Sequence, residues 1–167
     1  MGSPSAANPA RARVVTVTVS DTRTAADDRS GAALKEELAA FDLVRHEIVP
    51  DEPERIVALV KDVLAKDEAE AIVLTGGTGI APRDRTYEAL EAIFDKRLDG
   101  FGEAFRRLSW DEFGARSILS RATAGTVGTR LVFSLPGSAQ GVRLGARALI
   151  APILAHAVDL AHGRTKH

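Results

Sequence analysis

The first sustained pattern in the chain is Val14 to Val19 (VVTVTV), β-branched at every position, which predicts a strand buried on at least one face. A polar loop from Ser20 to Ser30 leads into a segment where Leu34, Leu38 and Phe41 recur at helical spacing. Val44 to Val49 alternates apolar and polar residues, the period of a second strand, and Pro50 stops it. The helix signal is clearest at Ile56, Leu59, Val60, Val63 and Leu64, which form one apolar stripe. Ala71 to Leu74 is a short unbroken apolar run, as expected of a central parallel strand covered on both faces. It ends in Thr75-Gly76-Gly77-Thr78-Gly79. A further helix is expected from about Thr86 to Asp95, with Tyr87, Leu90 and Phe94 inward. Residues 102–120 read as helical but interrupted at Gly114. Two short strands follow near 122–126 and 130–135. In the long final helix Val142, Ala146, Leu149, Ile153 and Val158 roughly line one face, with Pro152 a kink.

Strand and helix alternate with short connections, so the economical fold is α/β: a three-layer α/β/α sandwich around a mostly parallel central sheet. Residues 1–13 are small, Pro-containing and offer little to bury, so they are expected to be a disordered arm ahead of a single domain, 14–167. A length of 167 residues suits one domain with a substantial core. With 22 Lys+Arg against 23 Asp+Glu, the net charge of −1 speaks against a nucleic-acid binder working by bulk attraction. The absence of cysteine removes disulfides, thiolate metal sites and a Cys nucleophile together. No apolar run approaches a membrane span and the first residues lack a secretory pattern, so a soluble cytoplasmic domain is expected.

In open α/β sheets ligands sit beyond the carboxyl ends of the strands. That rule points at Ser20-Asp21, at Thr75 to Gly79 and at Pro136 to Ser138. Three glycines in five positions clear side chains away from backbone N–H groups and permit the positive φ angles of an anion-binding nest. The same residues also suit a plain strand-to-helix turn. The loop is not a P-loop, since no Lys follows its last glycine, and it is not GxGxxG. It runs into Arg83-Asp84-Arg85-Thr86, where Asp84 or Thr86 can serve as a helix N-cap. A carboxylate beside a phosphate cradle makes chemical sense mainly when a divalent cation bridges the two, as Mg²⁺ does. Asp51 and Glu52 offer a second acid and Glu103 a third. Ser138 suits both a helix cap and an anion contact. Arg116 and Arg121 are candidate anion clamps. The four histidines have no metal spacing, and no Ser lies in a GxSxG elbow.

Taken in order, VSDTR…DRSG, IVPDE, LTGGTGIAPRDRTYEA, FGEAFR and SLPGS resemble the molybdenum cofactor biosynthesis proteins MoaB and MogA and the G domain of gephyrin. The resemblance runs from about Val14 to Ala161, and residues 122–138 look closer to the MoaB branch. It implies a molybdopterin-binding fold assembled as trimers or hexamers, with small-molecule substrates and no nucleic-acid or membrane partner. The implied activity is adenylylation: Mg²⁺, ATP and molybdopterin give adenylyl-molybdopterin and pyrophosphate. Carried over residue by residue, the match makes Asp84 and Asp51 the essential acids and tentative Mg²⁺ ligands. Thr75, Gly76, Gly77, Thr78 and Gly79 would surround the nucleotide phosphates. Ser138, with Pro136 and Gly137, falls in the pterin pocket, Glu103 nearby, and Ser20 and Asp21 border the same cleft. The alternative within the family is a non-catalytic protein that binds molybdopterin or nucleotide; an oligomeric scaffold is a further class.

Overall fold

The computed structural model describes residues 12–164. Most of the expected arm, residues 1–11, lies outside them, as do 165–167. The first strand, β1 (Arg13–Val19), begins one residue earlier than its β-branched run, with Ala12 already buried. The cause is Arg13, whose backbone N–H and guanidinium both donate to Glu70, at 2.7 Å and at 2.6–3.3 Å, tying the start of β1 to the start of the neighbouring strand.

The chain continues through α1 (Arg29–Glu37), β2 (Asp42–Val49), α2 (Pro53–Ala65), β3 (Ala71–Thr75), α3 (Thr86–Glu91), β4 (Lys96–Arg97) and α4 (Asp99–Phe113). A 3-10 turn, Gly114–Leu119, leads to the hairpin β5 (Thr123–Val127) and β6 (Arg130–Leu135). The six strands form one sheet in the order β2-β1-β3-β6-β5-β4. β2, β1, β3 and β6 run parallel; β5 runs against both of its neighbours. The sheet is therefore mostly parallel, as the alternation of elements implied.

Period-two side-chain alternation divides the core into two layers. On one face Val14, Val73, Leu131, Phe133 and Leu135 pack under α1, α4 and the last helix, with Phe101 and Phe133 edge to face at 5.4 Å. On the other, Val15, Val17, Ile72, Leu74 and Val132 pack under Ile56, Leu59, Val60 and Val63 of α2 and Leu90 of α3. The three-layer α/β/α sandwich expected from the sequence is the fold observed.

The last helix departs from its expected stripe. α5 (Ala139–Gly145), a π-turn at Ala146–Ile150 and α6 (Ala151–Ala161) form one continuous rod of 23 residues. The π-turn holds one residue more than an α-turn, so the buried face shifts from Leu149 and Ile153 to Ile150 and Leu154. Ile153 is left 44% exposed. By length and composition this helix could cross a membrane. Here its stripe of Val142, Ala146, Ile150, Leu154 and Val158 is buried in the core. Arg143 and Arg147 on its outer side pair with Glu36 and Glu37 of α1.

Candidate functional site

β1 lies between β2 and β3, so the connections leaving β1 and β2 pass over opposite faces and the strand order reverses at β1. A crevice opens at the carboxyl end of such a switch point. It is a cleft of about 170 Å³ lined by Ser20, Asp21, Asp51, Gly77, Arg83 and Asp84. The expected strand-end residues around the acids thus converge in space.

The glycine loop shapes this cleft by what it lacks. Gly76 and Gly77 have φ of +108° and +69°, the left-handed region that side chains disfavour. A β-carbon on Gly76 would collide with the Val19 carbonyl; one on Gly77 would lie 2.5 Å from Asp51 Oδ2; one on Gly79 would lie 2.6 Å from Asp84 Oδ2. Both acids thus press against bare glycine backbone, each at its own position. The Gly76 amide is committed to the Leu135 carbonyl at 2.9 Å, but those of Gly77, Thr78 and Gly79 bond no other described residue. These three amides can receive an anion. The Thr75 hydroxyl, in a residue the resemblance places around the phosphates, is spent on the Pro136 carbonyl at 2.6 Å, which welds the loops after β3 and β6 together.

Asp51 is fixed by two backbone groups. Its own N–H donates to Asp21 Oδ1 at 2.9 Å, and the Arg85 N–H donates to its carboxylate at 3.2 and 3.3 Å. Burial pushes the Asp51 carboxyl above its ordinary value, the Arg85 N–H opposes this, and the negative charges of Asp84 and Glu88 add to the rise. Asp84 is not a helix cap. α3 starts at Thr86 with Arg85 in the cap position, and Asp84 Oδ2 accepts the Ala81 N–H at 3.0 Å, bracing the loop behind it. Thr86 is no cap either, because it is already inside the helix. Asp21 pairs with Arg83. Ser20 Oγ accepts the N–H groups of Thr22 and Arg23 at 3.3 and 3.1 Å, closing the turn after β1.

Across the weld between the loops lies a second cavity of about 290 Å³, lined by Phe105, Ser109, Phe113, Arg116, Pro136 and Ser138, among others. Ser138 caps α5, accepting the Gly141 N–H at 3.1 Å, and stays exposed to the cavity. Gly137 sits where a β-carbon would be 3.5 Å from Gly76 Cα. Its carbonyl accepts from Arg23 at 3.4 Å. Arg116 also lines this cavity. Glu103 is exposed on α4, the helix that supplies Phe105, Ser109 and Phe113 to this cavity, and is not itself among the described residues that line it.

Arg121 was expected to hold an anion and holds the loop instead. Its guanidinium donates to the carbonyls of Gly79 and Asp84, both at 3.0 Å, pairs with Glu88, and stacks on Tyr87 at 5.2 Å. Its N–H donates to the Thr78 carbonyl at 2.8 Å. No spacing in the sequence signals that this arginine returns to a loop some forty residues earlier. The walls Phe105 and Phe113 were likewise visible only as apolar residues of a helix.

Among the described residues no three His, Cys, Asp or Glu side chains converge on one point. Two hard carboxylates beside free amides do not make a complete protein cage. They fit a cation such as Mg²⁺, which takes one or two carboxylates and fills its shell with water and phosphate oxygens.

Residues 15–156 match the family model described as a probable molybdopterin binding domain. The chain belongs to that family. A relative from Bacillus subtilis (strain 168), named molybdenum cofactor biosynthesis protein B, is 47% identical over 152 residues, 87% of this chain and 88% of its own length. The crystal structure of a molybdenum cofactor biosynthesis protein B matches with a TM-score of 0.89 at 43% identity, over 93% of this chain and 98% of the other. That of a tungsten cofactor synthesizing protein MoaB from Pyrococcus furiosus matches at 0.80 and 38%, over 93% and 98%. These relatives are of the B type, the MoaB branch that residues 122–138 resembled.

Proposed function

We propose that this member of the molybdopterin-binding family acts in molybdenum cofactor biosynthesis by adenylylating molybdopterin at the expense of ATP. The observation that carries the reading is the pair Asp51 and Asp84, each against a different glycine of one loop, across a welded seam from an aromatic-walled cavity that holds Ser138 and Arg116. A nucleotide with its phosphates on the loop amides and a pterin in the cavity would meet at the seam.

In this reading the terminal phosphate of molybdopterin attacks the α-phosphorus of ATP. The bond to the β-phosphate oxygen breaks, and adenylyl-molybdopterin and pyrophosphate result. Such transfer needs in-line positioning and relief of negative charge more than a protein nucleophile. Gly77, Thr78 and Gly79 would bind the phosphates through their amides. Asp51 and Asp84 would hold Mg²⁺, which when bound offsets the charge gathering on the leaving pyrophosphate. Ser138 and Arg116 would orient the pterin. No general base is required, because a phosphate monoester is largely ionised near neutral pH. The working form is a homo-oligomer, a trimer or a dimer of trimers.

The test is to mix the protein with ATP, Mg²⁺ and molybdopterin. Equimolar adenylyl-pterin and pyrophosphate, dependent on all three, is the expected result. Binding of both ligands without product would leave a non-catalytic pterin- and nucleotide-binding protein of the same family.

A further inference from the structure

Thr86 is wholly buried at the start of α3, yet its Oγ1 has no hydrogen-bond partner among the described residues. A buried hydroxyl without a partner works against folding. Its backbone is held firmly: the Thr86 N–H donates to the Gly77 carbonyl at 3.2 Å, and the preceding amide, of Arg85, donates to the Asp51 carboxylate. A β-carbon on Gly77 would collide with Thr86 Oγ1 and lie 2.5 Å from Asp51 Oδ2. Hydroxyl and carboxylate therefore flank the same bare patch of glycine, one a donor with nothing to donate to, the other an acceptor with capacity left.

We propose that the Thr86 hydroxyl is a positioning group of the nucleotide site, donating a hydrogen bond to Asp51 when that carboxylate takes a divalent cation and the ATP phosphates. The inference rests on the proposed function, which assigns the cation–nucleotide complex to this cleft. Carboxylates that ligate metals are commonly held by such outer hydrogen bonds, which fix the oxygen that faces the ion. A donor idle in the free protein and engaged in the loaded one strengthens binding by the difference. It also explains why a site would keep a hydroxyl that the empty fold does not need. Thr86 acts through Asp51, so its loss is felt first in cation-dependent affinity.

Thr86→Val keeps the branched shape and removes the hydroxyl; Thr86→Ser keeps the hydroxyl. ATP is titrated into the full chain with and without Mg²⁺ by calorimetry, and melting is recorded without ligand. Thr86→Val should melt at or above the wild type, while its Mg²⁺-dependent ATP affinity falls about tenfold to a hundredfold. Its ATP affinity without Mg²⁺ should not change. Thr86→Ser should stay nearer the wild type than Thr86→Val in Mg²⁺-dependent affinity. Three results would each overturn the inference: unaltered Mg²⁺-dependent binding by Thr86→Val, an equal loss in Thr86→Ser, or a clear drop in the melting temperature of Thr86→Val, which would give the hydroxyl a structural partner. Wild-type protein without Mg²⁺-dependent ATP binding would contradict the proposed function, and this inference with it. Normal wild-type binding beside an indifferent Thr86→Val contradicts this inference alone.

Discussion

Asp51 sits where burial and the neighbouring charges of Asp84 and Glu88 work against its ionisation. An acid whose carboxyl is raised binds protons more readily folded than unfolded, so the stability it contributes is lost as pH rises from 3.8 through the raised value. At neutral pH the charge is a burden on the free fold. Asp51→Asn should therefore melt at or above the wild type while losing Mg²⁺-dependent ATP binding; a destabilised variant would show that the charge serves the fold instead. Asp28 is the opposite case. Burial raises it, but hydrogen bonds from His46 (2.7 Å), the Thr18 hydroxyl and the Gly31 N–H outweigh that and hold it below its ordinary value. Its contribution is present above pH 3.8 and lost as pH falls through the depressed value. Asn caps a helix as well as Asp, so Asp28→Asn should lose only the charge-dependent part. The melting-temperature gap to the wild type should be wide at pH 7 and narrow at low pH; a constant gap would contradict this. Both acids stand in the sequence beside plausible helix starts. Only Asp28 proves to be a cap, because capping depends on where the chain turns, which neighbouring residue types leave open.

At the scale of elements, the strands and amphipathic helices were legible wherever a face repeats: the β-branched run of β1, the stripe of α2, the apolar run of β3. What was not legible depends on partners. β4 is two residues long and exists because Lys96 and Arg97 pair with Thr126 and Gly125, not because of a pattern of its own. The slip in the last helix comes from the π-turn, which no apolar period announces. The strand-end loops were legible as glycine-rich joints, and the weld between Thr75 and Pro136 was not, since a hydroxyl has no spacing rule. Ser138 caps α5 and faces the aromatic cavity. Ser138→Ala should cost about 1 kcal/mol of stability through the cap. Calorimetric titration should show pterin affinity falling more than ATP affinity. Equal loss of both ligands in a folded variant would remove Ser138 from the pterin side.

For the whole molecule, the three-layer sandwich and the end of the sheet that carries the candidate site follow from alternation and chain direction. The contacts that cross between distant segments do not, Arg121 on the glycine loop above all. Of the aromatic residues crowded into 101–113, Phe113 lines the second cavity. Phe101 and Phe105 enter the core, whereas Trp110 is 53% exposed and lines one cavity with Ile118, 67% exposed, next to which Leu119 follows in the chain at 49%. An apolar group of this kind suits a contact between copies of the chain. Light scattering at micromolar concentration should give the mass of a trimer or of a dimer of trimers, and Trp110→Glu should lower it; a wild-type monomer would contradict the assembly. The acid pair on the glycine loop is tested most directly by Asp84→Asn. Asn can still accept the Ala81 amide, so the loop should persist and pterin should bind as before. Pyrophosphate release from saturating Mg²⁺-ATP and molybdopterin, measured for Asp84→Asn beside the wild type, should fall at least about a hundredfold, the scale for losing an electrostatic element of a transition state. Near-normal release by the variant would contradict the role assigned to Asp84 and leave it a brace of the loop.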